Sequence, residues 1–304
     1  MRHAIGSTPP HSSGGAAAQA AAHPEDLTSA MLHGSAQAHR RTEENAFMQE
    51  LRAGTLPRRA FVQYLTDLRE MYAALEDGLQ TLRAQGRIGE TLFPDTLRRT
   101  GPLGLDLTQL AVRGRPVHPS VPALHYAGDL RLLAQTAPMS LLAHAYVLYM
   151  GDLAGGQIIK RWVRKAYPED FPRGVQGGAD AGAGVAGAAE AGAAAADPAA
   201  GLAPRFYDFS ALLREGGHAS AQDCRRAWKA APDALPLNDA QKDDCVGQAR
   251  AAFACVQEIL SACRELAAAE PPEDPDWRSS AGAGLSGSGP ARRSAPPART
   301  APEY

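Results

Sequence analysis

Three groups of residues in this chain combine side-chain type with a spacing that does chemistry. His39 and Glu43 are four positions apart, so on a helix they stack on one face, and the carboxylate can accept a hydrogen bond from the imidazole nitrogen not bound to a metal. That is what a histidine needs to ligate a metal in a fixed tautomer, although a plain surface or core histidine fits the same pattern. Gly151, Gly155 and Gly156 lie inside Ser140 to Arg164, SLLAHAYVLYMGDLAGGQIIKRWVR, whose leucines, alanines and tyrosines otherwise describe a buried helix with Ser140 as its N-cap. Each glycine costs about 1 kcal/mol relative to alanine in a helix interior, so the missing side chains must serve close approach. Either the backbone meets a flat ligand, with the Asp152 carboxylate beside the contact, or it meets another helix in a small-x-x-x-small crossing. Arg225 and Lys229, again four apart, put two cations on one face, suited to two carboxylates of one ligand and equally to a solvated helix surface.

The elements that must carry these residues are helical. Apolar periodicity begins at Asp26 and runs to a stop at Gly54, with His39 and Glu43 on one of its two stripes and His33 off register at the surface. Pro57 to Ala84 has the clearest pattern, with Phe61, Tyr64, Leu65, Leu68, Tyr72, Leu75, Leu79 and Leu82 on one face and Gly86 beyond the end. Shorter helical pieces follow at Thr91 to Arg99, Leu105 to Ala111 and Ala123 to Gln135, before the glycine-bearing helix, which frays near Pro168. His118 and His125 read as solvent-facing. After Arg205, FYDF leads into a basic helix, a turn at Pro232 to Pro236, and a last core helix from Asp239 to Ala268 carrying Phe253.

Composition bounds the rest. The 304 residues, 44% of them hydrophobic with a net charge of -2, describe one folded domain with no general electrostatic pull toward nucleic acid or membrane. Residues 1–23 and 271–304 are expected as disordered tails flanking a domain over 24–270, within which the Ala/Gly-rich stretch 174–203 is a surface insertion. No apolar run is long enough for a transmembrane helix. Cys224, Cys245, Cys255 and Cys263 lack metal-ligand spacing and read as small hydrophobes in a reducing compartment, so a cytoplasmic location is expected.

Read as a whole, HAYVLYMGDLAGGQIIKRW closely resembles the distal-helix signature of heme oxygenases, with His144, Tyr146, Tyr149, Gly151, Asp152, Leu153, Gly155, Gly156 and Gln157 at the matching positions. QAHRRTEENAFMQELRAG is similar to that family's proximal segment through His39, Glu43, Phe47 and Met48. The resemblance implies an all-α, single-domain bundle with heme between the two helices, His39 as axial iron ligand, and heme as both substrate and prosthetic group. It implies that Asp152 orders a proton-delivering water, that Tyr72 joins the network around that water, that Gly151, Gly155 and Gly156 make room at the heme face, and that Tyr146 and Phe253 line the pocket. Arg225 and Lys229 are then the cations for the heme propionates. The implied reaction yields biliverdin, carbon monoxide and ferrous iron from heme, O2 and external electrons, supplied by a ferredoxin or an NADPH-dependent reductase to a soluble monomer. The sequence departs from the family pattern at Leu148, where an arginine is common, at Leu32, where a propionate-binding lysine is common, and at Ala154, a usual serine. A heme-binding or heme-sensing protein without turnover is the competing expectation.

Overall fold

The computed structural model describes residues 26–111, 117–171 and 204–269. The expected tails and the Ala/Gly-rich insertion lie outside the described residues. Within them the chain forms α1 (Leu27–Glu43), α2 (Ala46–Ala53), α3 (Arg58–Ala84), α4 (Thr100–Ala111), α5 (Val121–Thr136), α6 (Leu141–Ala166), α7 (Ser210–Glu215), α8 (Ala221–Asp233) and α9 (Asp239–Ala269), with single 3-10 turns between some of them and no strand among the described residues.

The centre is α3, which packs against α4, α5 and α6. Its predicted stripe is buried as expected except for Tyr64, which is half-buried. Asp67 breaks the apolar face, yet it is fully buried because Ser120 donates to it through both its backbone N (2.7 Å) and Oγ (2.6 Å), and Gln63 Nε2 does so at 2.9 Å. A buried carboxylate so satisfied fixes where α5 starts relative to α3.

The structure departs from the sequence reading in several places. The first periodic stretch is two helices, because the Asn45 side chain accepts from Phe47 N at 2.9 Å and caps a new helix. The apolar rhythm runs straight across this break, so periodicity alone concealed it. Gly54 does end α2, in the left-handed conformation at φ 81° that glycine adopts freely. Thr91 to Arg99 contains only a turn at Asp95–Leu97, while α4 starts earlier than expected, at Thr100. Ser140 does not cap α6: its hydroxyl donates instead to Asp244 of α9. Pro232 lies inside the last turn of α8 rather than in a loop.

Candidate functional site

On α1, His39 is half open, its side chain 53% exposed, and its ring meets Phe253 of α9 edge-on, centroids 5.5 Å apart at 74°. Glu43 stands 3.8 Å from His39 Nε2, too far to be the tautomer-fixing hydrogen bond expected from their spacing. What holds α1 in place is α9 and α8. Gln257 Nε2 donates to the Ala38 carbonyl (2.9 Å) and to Thr42 Oγ1 (3.1 Å), and Arg250 Nε donates to the Gly34 carbonyl (2.6 Å). A methyl group at Gly34 would fall 2.4 Å from Val246 Cγ1, so this crossing exists because position 34 has no side chain. At the start of α1, both oxygens of Asp233 on α8 accept from Thr28, from its backbone N and from Oγ1, each at 2.8 Å. Asp26, the residue at the cap position, makes no such bond.

On α6, the glycines divide by face. A Cβ on Gly151 meets nothing within 4 Å, and one on Gly155 meets only Ile159 of its own helix at 3.8 Å. Gly156 is different: it is buried, and a Cβ there would stand 3.1 Å from Cδ1 of Tyr207. The space a side chain would take at Gly156 is thus filled by Tyr207, whereas at Gly151 it is open. Asp152 lies between the open and covered faces. Tyr72 of α3 donates its hydroxyl to Asp152 Oδ2. Burial pushes the Asp152 carboxyl up to about 7, while the Tyr72 hydrogen bond and the charge of Arg99 pull the other way.

The surroundings of Asp152 were only partly visible in the sequence. Arg99 is buried with its guanidinium spent on backbone carbonyls of Leu97 (3.0 Å), Thr96 (2.7 Å), Phe206 (3.1 Å) and Asp208 (2.9 Å). Glu76 accepts from the backbone N of Arg99 and of Thr100 and stands 3.4 Å from the Tyr149 hydroxyl. The one signal for Glu76 was a carboxylate four residues after Tyr72, within the run of leucines that α3 buries. Arg99 and Tyr207 gave none, because their partners are remote in sequence.

The cations of α8 both lean on α6. Arg225 Nη1 donates to the Leu153 carbonyl at 3.3 Å, and Lys229 Nζ sits 5.9 Å from the centre of the Tyr146 ring. Because α8 packs on both α1 and α6, it joins the imidazole helix to the glycine helix. His144, by contrast, is a core residue: Tyr126 Oη lies 2.8 Å from its Nδ1 and Gln248 Oε1 lies 3.1 Å from its Nε2. Burial pushes its imidazole down to about 4, so it is neutral, with Nε2 donating to Gln248 and Nδ1 accepting from Tyr126.

Together these features define an all-helical protein in which α8, with its two cations, packs on both the helix that carries a half-open imidazole and the helix that carries a bare stretch of backbone. The heme oxygenase family model matches residues 25–262, and the chain belongs to that family. It is 28% identical over 243 residues to heme oxygenase 2 of Synechocystis, covering 79% of this chain and 84% of that protein. It is 32% identical over 156 residues to human heme oxygenase 1, covering 51% of this chain and 54% of the human protein, so it spans about half the length of that relative. Among solved structures, heme oxygenase-2 of Synechocystis in complex with heme and NO superposes with a TM-score of 0.62 at 26% identity, covering 80% of this chain and 87% of that one. Heme oxygenase from Leptospira interrogans gives the same score at 24% identity over 78% and 100% of the two chains, a likeness of fold. Among the described residues no helix is long and apolar enough to cross a membrane.

Proposed function

We propose that this chain opens heme oxidatively to biliverdin, carbon monoxide and ferrous iron, using O2 and electrons from a separate donor. The single observation that carries this reading is the coupling of Tyr72 to the Asp152 carboxyl immediately beside the bare backbone at Gly151. A ligand-binding site needs the open surface, and a carboxyl that burial pushes up to about 7 beside it is suited to acid-base work.

The residues present fit heme. His39 would hold the iron, Phe253 and Tyr146 would line the ring, Gly151 and Gly155 would allow it against α6, and Arg225 and Lys229 would turn from α6 to its carboxylates. Bound there, heme supplies iron as the site of oxygen reduction and its own ring as the substrate. Asp152 holds a proton near neutrality, and Tyr72 keeps its carboxyl oriented. Leu148, buried in α6, adds no charge to this network, and Leu32, 48% exposed on α1, leaves the propionates to α8. The electron donor is a ferredoxin or an NADPH-dependent reductase, and the chain works as a monomer.

The test is aerobic turnover of the hemin-loaded protein with a reductant. Loss of the Soret band with carbon monoxide release is expected. Tight hemin binding without either would identify a heme-binding protein on this fold and end the enzymatic reading.

A further inference from the structure

The residues proposed to hold heme use one row of α8, and the neighbouring row borders a second concavity. Cys224 and Trp228 are one helical turn apart, about 100° round the helix from Arg225 and Lys229. They line a cleft of about 580 Å³ together with Leu153 of α6, the end of α7 and the chain from Glu90 to Leu97. Its floor is apolar: Leu97, Leu153, Leu212 and Trp228 are each 4% exposed or less. Trp228 Nε1 donates to the Leu92 carbonyl at 2.9 Å, which fixes the indole. Small-molecule sites have this build, roughly 300–1,000 Å³ of concave, mostly apolar surface with a small number of polar groups.

The mouth of the cleft carries one sign of charge. Glu90, Asp95 and Glu215 line it, and no lysine or arginine is among the described residues that do so. Asp95 is matched by Arg83 at 3.1 Å and Arg98 at 3.3 Å, whereas Glu90 and Glu215 are exposed and make no ion pair among the described residues. His218, also in the lining, has its own carboxylate, with Nδ1 3.8 Å from Asp223. Cys224 is buried, and its thiol makes no hydrogen bond among the described residues. Burial pushes that thiol up, so it stays protonated and uncharged. Among the described residues no three His, Cys, Asp or Glu side chains are grouped to hold a metal ion, so the two unmatched carboxylates suit an organic cation instead.

We propose that this cleft is a ligand site apart from the heme face and that it takes an organic monocation, an ammonium group on a small apolar body. The body lies on the leucines and the indole, and the charge stays at the mouth near Glu90 and Glu215, where water still reaches it. Leu153 is the wall between the two sites: its side chain lines the cleft, while its carbonyl accepts from Arg225 Nη1 at 3.3 Å. The cleft and the heme face are thus neighbours that share no charged group, and both can be filled at once. The cleft does not depend on the proposed reaction.

The probe is benzyltrimethylammonium, which cannot coordinate iron, with benzyl alcohol and phenylacetate as its neutral and anionic counterparts. Each is titrated into the heme-free full chain while the Trp228 indole N–H is followed by nitrogen-15 NMR. The cation is expected to shift that resonance with a dissociation constant on the order of 1 mM, in keeping with a ligand of its size. Glu90→Gln and Glu215→Gln, both at exposed positions, are each expected to weaken it about threefold, and added salt to weaken it further. Benzyl alcohol is expected to bind roughly tenfold more weakly, the product of the two carboxylate effects, and phenylacetate not to bind. Calorimetry on the hemin-saturated chain is expected to return the same constant for the cation. A Trp228 signal that the cation leaves unmoved, equal binding of the alcohol, or displacement of the cation by hemin overturns the proposal. None of these readouts requires turnover, so a chain that binds the cation but leaves heme intact ends the enzymatic reading and keeps the cleft.

Discussion

Asp152 and Gly151 are neighbours in sequence but answer to different constraints. The carboxyl titrates near 7 when an ordinary aspartate titrates near 4, so the folded chain keeps the proton that the unfolded chain releases between those values. Its contribution to stability is thus complete below about 4 and is lost as pH rises toward 7, and its supply of protons for catalysis declines above 7. Removing the Tyr72 hydroxyl removes a bond that favours the charged form, so Tyr72→Phe is expected to shift the alkaline limb of the pH–rate profile upward. Asp152→Asn should bind hemin normally and lose turnover on the order of 10²-fold or more, as read by carbon monoxide release. Gly151→Ala meets no protein atom, so it should stabilise the heme-free chain by up to about 1 kcal/mol while weakening hemin binding. Gly156→Ala pushes against a pinned tyrosine ring, and its melting temperature should fall below that of Gly151→Ala. The sequence offered Gly155 and Gly156 as a pair, and nothing short of the packing of Tyr207 distinguishes them.

At the scale of elements, the site is a matter of how α1 is held. That His39 and Glu43 share a face of α1, and Arg225 and Lys229 a face of α8, was readable from four-residue spacing because that period is local, although the hydrogen bond expected between His39 and Glu43 does not form. The clamps were not: Gln257 reaches Ala38 and Thr42 across more than two hundred residues, and Asp233 caps a helix it follows by a comparable interval. Sequence spacing gives no hint of such partners. Asp233→Ala should cost about 1 kcal/mol of stability, the usual worth of an N-cap. It should also loosen α1 against α8, so hemin affinity in a spectrophotometric titration is expected to fall although residue 233 is not among the residues assigned to heme. The break after Glu43 escaped notice for the opposite reason: the side chain of Asn45 acts entirely locally, within a rhythm that continues on both sides of it.

For the whole molecule, the fold class was legible because α3 and α9 each show a buried stripe and α6 opens with an unbroken buried run from Leu141 to Met150, and the family signatures fix the order of the rest. His144 shows how one signature residue serves the assembly rather than the reaction. It links α5, α6 and α9 through Tyr126 and Gln248, and its imidazole is held down to about 4 where an unfolded histidine protonates near 6.5. A depressed value of this kind gives stability that is complete above about 6.5 and is lost as pH falls toward 4. Acid unfolding followed by circular dichroism should therefore begin in that window, and His144→Gln should flatten the dependence there.

The contrast between the two imidazoles reaches beyond binding. An acylating reagent such as diethyl pyrocarbonate attacks unprotonated, accessible ring nitrogens, and His39 presents a side chain 53% exposed while His144 is 2% exposed as a residue. Peptide mapping by mass spectrometry of the hemin-free protein should find the label at His39 and not at His144. Saturation with hemin should erase the footprint at position 39 while His118 and His125 stay marked, turning a spectroscopic assignment of the axial ligand into a chemical one.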